Sequence, residues 1–239
     1  MRVPRPDRAT STTDPSPAAQ MATIDELALD DNPERWRGLG FTVADGCCEL
    51  GTVRVRLAGT GAGRGILGWS LRGIAALELD GLTTARSHAP LRELAPEHPN
   101  GVVGIDHVVA FSPALDRSVR ALQAAGLQLR GIREQPTPAG APRQAFFRLG
   151  AEILEVIQEP EDAVSRGGGP DRPARLWGLA LTVADLERTV QLLAPHTSRP
   201  RAAVQPGRRI ATVRRSAGLA IPVALMSAPS REPPSAATT

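Results

Sequence analysis

Apolar positions along the chain fall into strand-like and helix-like stretches, and one arrangement of them occurs twice. Residues 104–122 read as an apolar strand, a break and an amphipathic helix, and residues 176–193 read the same way. Leu115, Val119 and Leu122 fall on the i, i+4, i+7 spacing of one helix face, and Leu186, Val190 and Leu193 repeat it at a constant offset. Three strand-like runs follow each helix, at 127–133, 143–149 and 152–158, and again at 200–204, 208–214 and 219–225. The repeating unit is therefore β-α-β-β-β, and the chain is expected to be an α+β protein of tandem modules.

Local signals divide the chain further. Ser112 with Pro113 reads as a helix N-cap and first helical position, and Gly126 as the C-terminal stop. The turn at 136–140 and Gly150 separate the strands of this module, residues 101–163, and a Gly- and Pro-rich linker, 164–173, leads to the second, 174–227. Pro222 inside the last run predicts an edge strand or a bulge. A degenerate third copy is expected at 21–73, with strand-like residues 23–29, a short helix opening at Asn32-Pro33, and runs near 41–43, 53–58 and 66–72. Residues 74–100, with His88 and His98, read as a connector, and 1–20 and 228–239 as disordered tails without apolar periodicity.

Composition narrows the function classes. The 239 residues contain 28 Lys+Arg, every one of them arginine, against 25 acids, for a net charge of +3. The arginines are scattered, tyrosine is absent and aromatics are 3%, which leaves few stacking platforms and argues against nucleic-acid binding. The two cysteines, Cys47 and Cys48, are adjacent, so they supply neither a disulfide framework nor the spaced thiolates of a zinc site, and they read as strand residues. No apolar run reaches the roughly 18 residues of a membrane span, and no apolar segment follows the N-terminal arginines, so a cytoplasmic protein with no membrane partner is expected. The glycine-rich segment 59–65 lacks the Lys-Ser or Lys-Thr pair of a phosphate loop and reads as a hairpin. Neither a Gly-x-Ser-x-Gly elbow nor a His-Glu-x-x-His helix is present.

With tandem β-α-β-β-β units, the opening strand Gly104-Ile-Asp-His-Val-Val and the closing strand Ile153-Leu-Glu-Val-Ile, the chain resembles the vicinal oxygen chelate superfamily of glyoxalase-like proteins. The resemblance implies paired modules forming a cup-shaped mixed sheet around a small-molecule pocket. In that superfamily a divalent metal (Fe, Mn, Zn or Ni) is often held at the floor of the cup by residues of the first and last strands. Carried over, His107 takes the first-strand ligand position and Glu155 the last-strand position, and both are suitable ligands. The following module departs from the pattern, because Gly178 stands where His107 recurs and residues 221–226 offer no carboxylate. Aligning Ile24-Asp-Glu with Ile105-Asp-His makes Glu26 a third candidate ligand if the first two modules share the cup. Gln144, Phe146 and Arg148 alternate on one face of their strand as candidate ligand-binding residues, and Trp177 is a candidate pocket wall. Two readings follow: a small-molecule binder with an incomplete or absent metal site, or a metal-dependent lyase, isomerase or dioxygenase. A homodimer is compatible with either.

Overall fold

The computed structural model describes residues 21–59, 65–137, 140 and 142–229. The expected tail at 1–20, most of that at 228–239, the centre of the 59–65 hairpin and part of the 136–140 turn lie outside the described residues. The first half contains strand β1 (Thr23–Leu29), helix α1 (Pro33–Gly38) and strands β2 (Cys47–Leu50), β3 (Val53–Leu57), β4 (Ile66–Arg72) and β5 (Thr84–Arg86). The next module is β6 (Val102–Ser112), α2 (Leu115–Ala124), β7 (Gln128–Arg133), β8 (Gln144–Leu149) and β9 (Glu152–Gln158). After a short helix α3 (Glu161–Arg166) come β10 (Arg175–Val183), α4 (Leu186–Leu192), β11 (Arg201–Ala202), β12 (Arg209–Thr212) and β13 (Val223–Ser227).

The two repeats share one sheet, ordered β11-β12-β13-β10-β6-β9-β8-β7. In each repeat the first strand pairs in parallel with the last, β6 with β9 and β10 with β13, and the two first strands pair antiparallel at the centre. Val108 pairs with Leu179, its counterpart in the repeat, so a pseudo-two-fold axis passes through that pair. Alternation then sorts the side chains. Ala145, Phe147 and Leu149 of β8 and Leu154 and Val156 of β9 are buried with Leu115, Val119 and Leu122 of α2, while Gln144, Phe146, Arg148 and Glu155 point to the opposite, concave face.

The first half repeats this plan in reduced form, in the order β2-β3-β1-β4-β5. Strand β1 pairs in parallel with β3 and antiparallel with β4, as β6 does with β9 and β10. The run 66–72, expected to close the first module, therefore lies across β1 in the place of a partner module's opening strand. The run 41–43, by contrast, is not a strand. Its place is taken by β2, which carries both cysteines, and only the isolated bridge Ala44–Cys47 precedes it.

Three local expectations are corrected. Helix α2 begins at Leu115, because Ser112 still belongs to β6 and its hydroxyl accepts from the Ala114 N–H at 3.0 Å. Gly126 ends that helix with φ +91°, as the left-handed stop requires. Pro222 lies just before β13, an interior strand, and its carbonyl accepts from the Leu179 N–H, so its missing N–H costs the sheet no rung. The expected linker begins inside α3. The two sheets share a continuous apolar core and meet closely where Gly51 faces Gly104, since a Cβ on Gly104 would lie 3.6 Å from the Gly51 Cα. Among the described residues no helix is long and apolar enough to cross a membrane.

Candidate functional site

The concave face of the large sheet carries a polar cluster whose geometry begins with a β-bulge. In the β6–β10 pairing His107 faces Ala180 and Ile105 faces Leu181, which leaves Asp106 unpaired. An extra residue in a strand interrupts strict alternation, and here Asp106 and His107 line the same cleft. The pairing of β1 with β4 shows the same shift, with Ile24 facing Leu71, Glu26 facing Ser70 and Asp25 left over. Both sheets thus carry an Ile-Asp-x bulge. Each aspartate then collects partners: Asp25 holds Arg72, Arg92 and Ser87, and Asp106 holds Arg208, Thr182 and His107.

Around Asp106 the groups form a chain. The Asp106 Oδ1 lies 2.8 Å from His107 Nδ1, and an ionised carboxylate only accepts, so Nδ1 carries the proton. Burial alone would raise the Asp106 pKa, but hydrogen bonds from His107 and Arg208 outweigh it and hold the group below the usual carboxylate range. The other ring nitrogen, Nε2, lies 3.2 Å from Glu155 Oε2, with the two side chains only 13% and 12% exposed. Burial pushes the Glu155 pKa up, against the opposing pull of His107 and Arg133 and with help from the Asp106 charge. The imidazole thus lies between a carboxyl group held below the usual range and one pushed above it. Gln144 donates its amide N–H to the other oxygen of Glu155, which leaves the buried Gln144 Oε1 without a partner.

These groups line a cleft of about 480 Å³ with Phe146, Arg148, Ile153, Arg130 and Arg133, roofed by the 204–208 segment between β11 and β12. A narrower recess of about 130 Å³ continues past Gln144 and Glu155 to Met226. Of the residues singled out in the sequence, His107, Glu155, Gln144, Phe146 and Arg148 are brought together here. Glu26 is not. It lies in the other sheet, 2.8 Å from Arg56, because β6 shares its sheet with β10 rather than with β1. Trp177 also lies outside the cleft, 37% exposed and packed edge-on against Phe111 at 5.0 Å. Asp106, Arg130, Arg133 and Arg208 were missed. The shared Ile-Asp pair was a signal for Asp106, whereas nothing distinguishes three particular arginines among 28.

The donor set does not suit a divalent metal. His107 Nε2 and Glu155 Oε2 are as far apart as two ligands of one ion with bonds of about 2.0–2.2 Å, but the symmetry-related positions contribute none. Gly178 replaces the histidine, and a Cβ there would lie 2.6 Å from the Pro222 carbonyl oxygen, so the backbone excludes any side chain. The Glu155 position falls on Ala224, two residues past Pro222 along β13. Among the described residues no group of three or more His, Cys, Asp or Glu side chains is placed to hold a metal ion.

Paired β-α-β-β-β modules with a polar cluster on the concave face define a glyoxalase-like cup, and the chain has the fold of the vicinal oxygen chelate superfamily. It is similar to a xylose isomerase-like TIM barrel/4-hydroxyphenylpyruvate dioxygenase fusion protein over 97% of this chain and 53% of that one, with 12% identity and a TM-score of 0.58, so it spans about half of that protein's length. Both sheets fall within that similarity. Methylmalonyl-CoA epimerase from Mycobacterium tuberculosis aligns with 59% of this chain and 95% of its own at 18% identity and a TM-score of 0.46. The Streptomyces coelicolor methylmalonyl-CoA epimerase aligns with 56% and 99% at 18% identity and a TM-score of 0.44. No family model matches the chain, and no curated protein matches its sequence.

Proposed function

We propose that this protein binds a small molecule in the cup between its two C-terminal modules, using His107, Glu155, Gln144, Phe146 and Arg148 as contacts and no complete metal site. The observation that carries this reading is the asymmetry of the cup. One module contributes Asp106, His107 and Glu155, while the matching positions of the other are Trp177, packed on Phe111 outside the cleft, Gly178, which admits no side chain, and Ala224. Such a cleft, partly apolar with a few convergent polar groups, is of the size that small ligands occupy. The scattered arginines and few aromatics fit a small-molecule partner rather than a nucleic acid, and a cytoplasmic location is part of the proposal.

A second reading, a metal-dependent enzyme of the superfamily, is favoured by the 3.2 Å separation of His107 and Glu155 alone. The two are separated by screening a library of small organic compounds for a rise in thermal midpoint, with and without a chelator. The account expects hits that survive chelation and whose affinity falls about tenfold or more in His107→Ala and Glu155→Gln, since each removes a buried hydrogen-bonding group from the contact surface. Hits that vanish with the chelator, or that are indifferent to both substitutions, would count against it.

A further inference from the structure

The cleft has a charge pattern that the binding reading leaves unexplained. Arg130 and Arg133 of β7 and Arg148 of β8 line it on one side. Arg148 donates Nε–H to the Gly150 carbonyl at 3.1 Å, and Arg208 is held by Asp106. The side chains of Arg130 and Arg133 make neither a hydrogen bond nor an ion pair with any described residue, although Arg133 acts on Glu155 through space. Guanidinium groups facing a cleft with unused donors are suited to an oxyanion, which takes charge-assisted, often paired, hydrogen bonds from them.

Next to Arg133, its cross-strand partner on β8 has a different unmet need in the narrower recess that both residues line. Gln144 is 7% exposed, its amide N–H is committed to Glu155, and its Oε1 has no donor. A buried amide oxygen left without a donor costs stability that a ligand N–H or O–H would recover. Phe146 and Ile153 give the cleft its apolar surface beside these groups. We propose that the ligand is a small organic oxyanion, a carboxylate or phosphate, that also carries a hydrogen-bond donor: Arg133 and Arg130 take the anion and Gln144 Oε1 takes the donor. This rests on the binding reading above and specifies the ligand's chemical class.

The test compares four probes by calorimetry on the full chain: α-hydroxyhexanoate, hexanoate without the hydroxyl, α-hydroxyhexanamide without the charge, and hexyl phosphate. The hydroxy acid should bind at least about tenfold more tightly than its neutral amide, and several-fold more tightly than hexanoate. Arg133→Gln should erase the preference for the acid over the amide, and Gln144→Leu the preference for the hydroxyl. Arg130→Gln, at an exposed position, should weaken the anion preference in a chain whose thermal midpoint is unchanged, so that misfolding cannot account for the effect. Tighter binding of hexyl phosphate than of hexanoate assigns the oxyanion as phosphate, and the reverse assigns it as carboxylate. If the amide binds as tightly as the acid, the oxyanion proposal fails while the cup remains a binding site. If none of the four binds, the binding reading fails with it.

Discussion

At the scale of single residues, the chain places several ionisable groups where burial and pairing oppose each other. Glu152, 5% exposed at the start of β9, is the clearest case, since burial pushes its pKa up to about 7 from 4.5 despite a bond from its own backbone N–H and the nearby Arg72 charge. A carboxyl whose folded pKa is raised contributes stability at pH below 4.5 that is lost as the pH rises through about 7. Glu152→Gln, which mimics the neutral form, should therefore stabilise the protein by about 2–3 kcal/mol at pH 8, with the gain disappearing near pH 4.5. Denaturant titrations at the two pH values check this, and a pH-independent difference would show that the carboxyl ionises freely. Gly178 makes a second residue-scale prediction. Its replacement by alanine drives a Cβ against the Pro222 carbonyl and should cost about 1–3 kcal/mol through displacement of β13, as read by chemical unfolding. A neutral Gly178→Ala would mean that the position can take a side chain, and that the missing ligand reflects sequence alone.

At the scale of elements, periodicity carried most of what could be read in advance. Strand β9 falls at the expected 152–158, and α2 and α4 occupy the expected repeat, because both helices bury one apolar face and the i, i+4, i+7 spacing survives any change in the loops. The first half was less legible for a physical reason. Strand β2 has only the residues Cys47–Leu50, too few for alternation to declare itself, and the partner of β4 is a matter of sheet order that local pattern does not encode. The site divides similarly. His107 and Glu155 could be read from their strands, but the placing of Asp106 beside His107 depends on a bulge that exists only once β6 and β10 are paired. Asp25 repeats that bulge in the smaller sheet, where it holds Arg72 and Arg92 and Glu26 stands in the place of His107.

For the whole molecule, the reduced first half is a counterpart of the cup rather than an appendage. Gly51 and Gly104 abut, the Ala95 N–H donates to the Gly51 carbonyl at 2.9 Å, and Arg117 pairs with Asp80 at 2.6 Å from α2 to the segment before β5. Buried residues of both sheets, Leu50 and Val53 on one side and Val102 and Leu181 on the other, belong to one core. The chain should therefore unfold in one calorimetric transition whose van't Hoff and calorimetric enthalpies agree, and two separable transitions would show that the halves are independent. The central claim, a binding cup whose second half no longer supplies metal ligands, is tested most directly by the metal content of protein purified without chelator. The account predicts substoichiometric Fe, Mn, Zn and Ni, at the same trace level in the wild type and in His107→Ala. One equivalent of a divalent metal in the wild type, lost in His107→Ala, would contradict it.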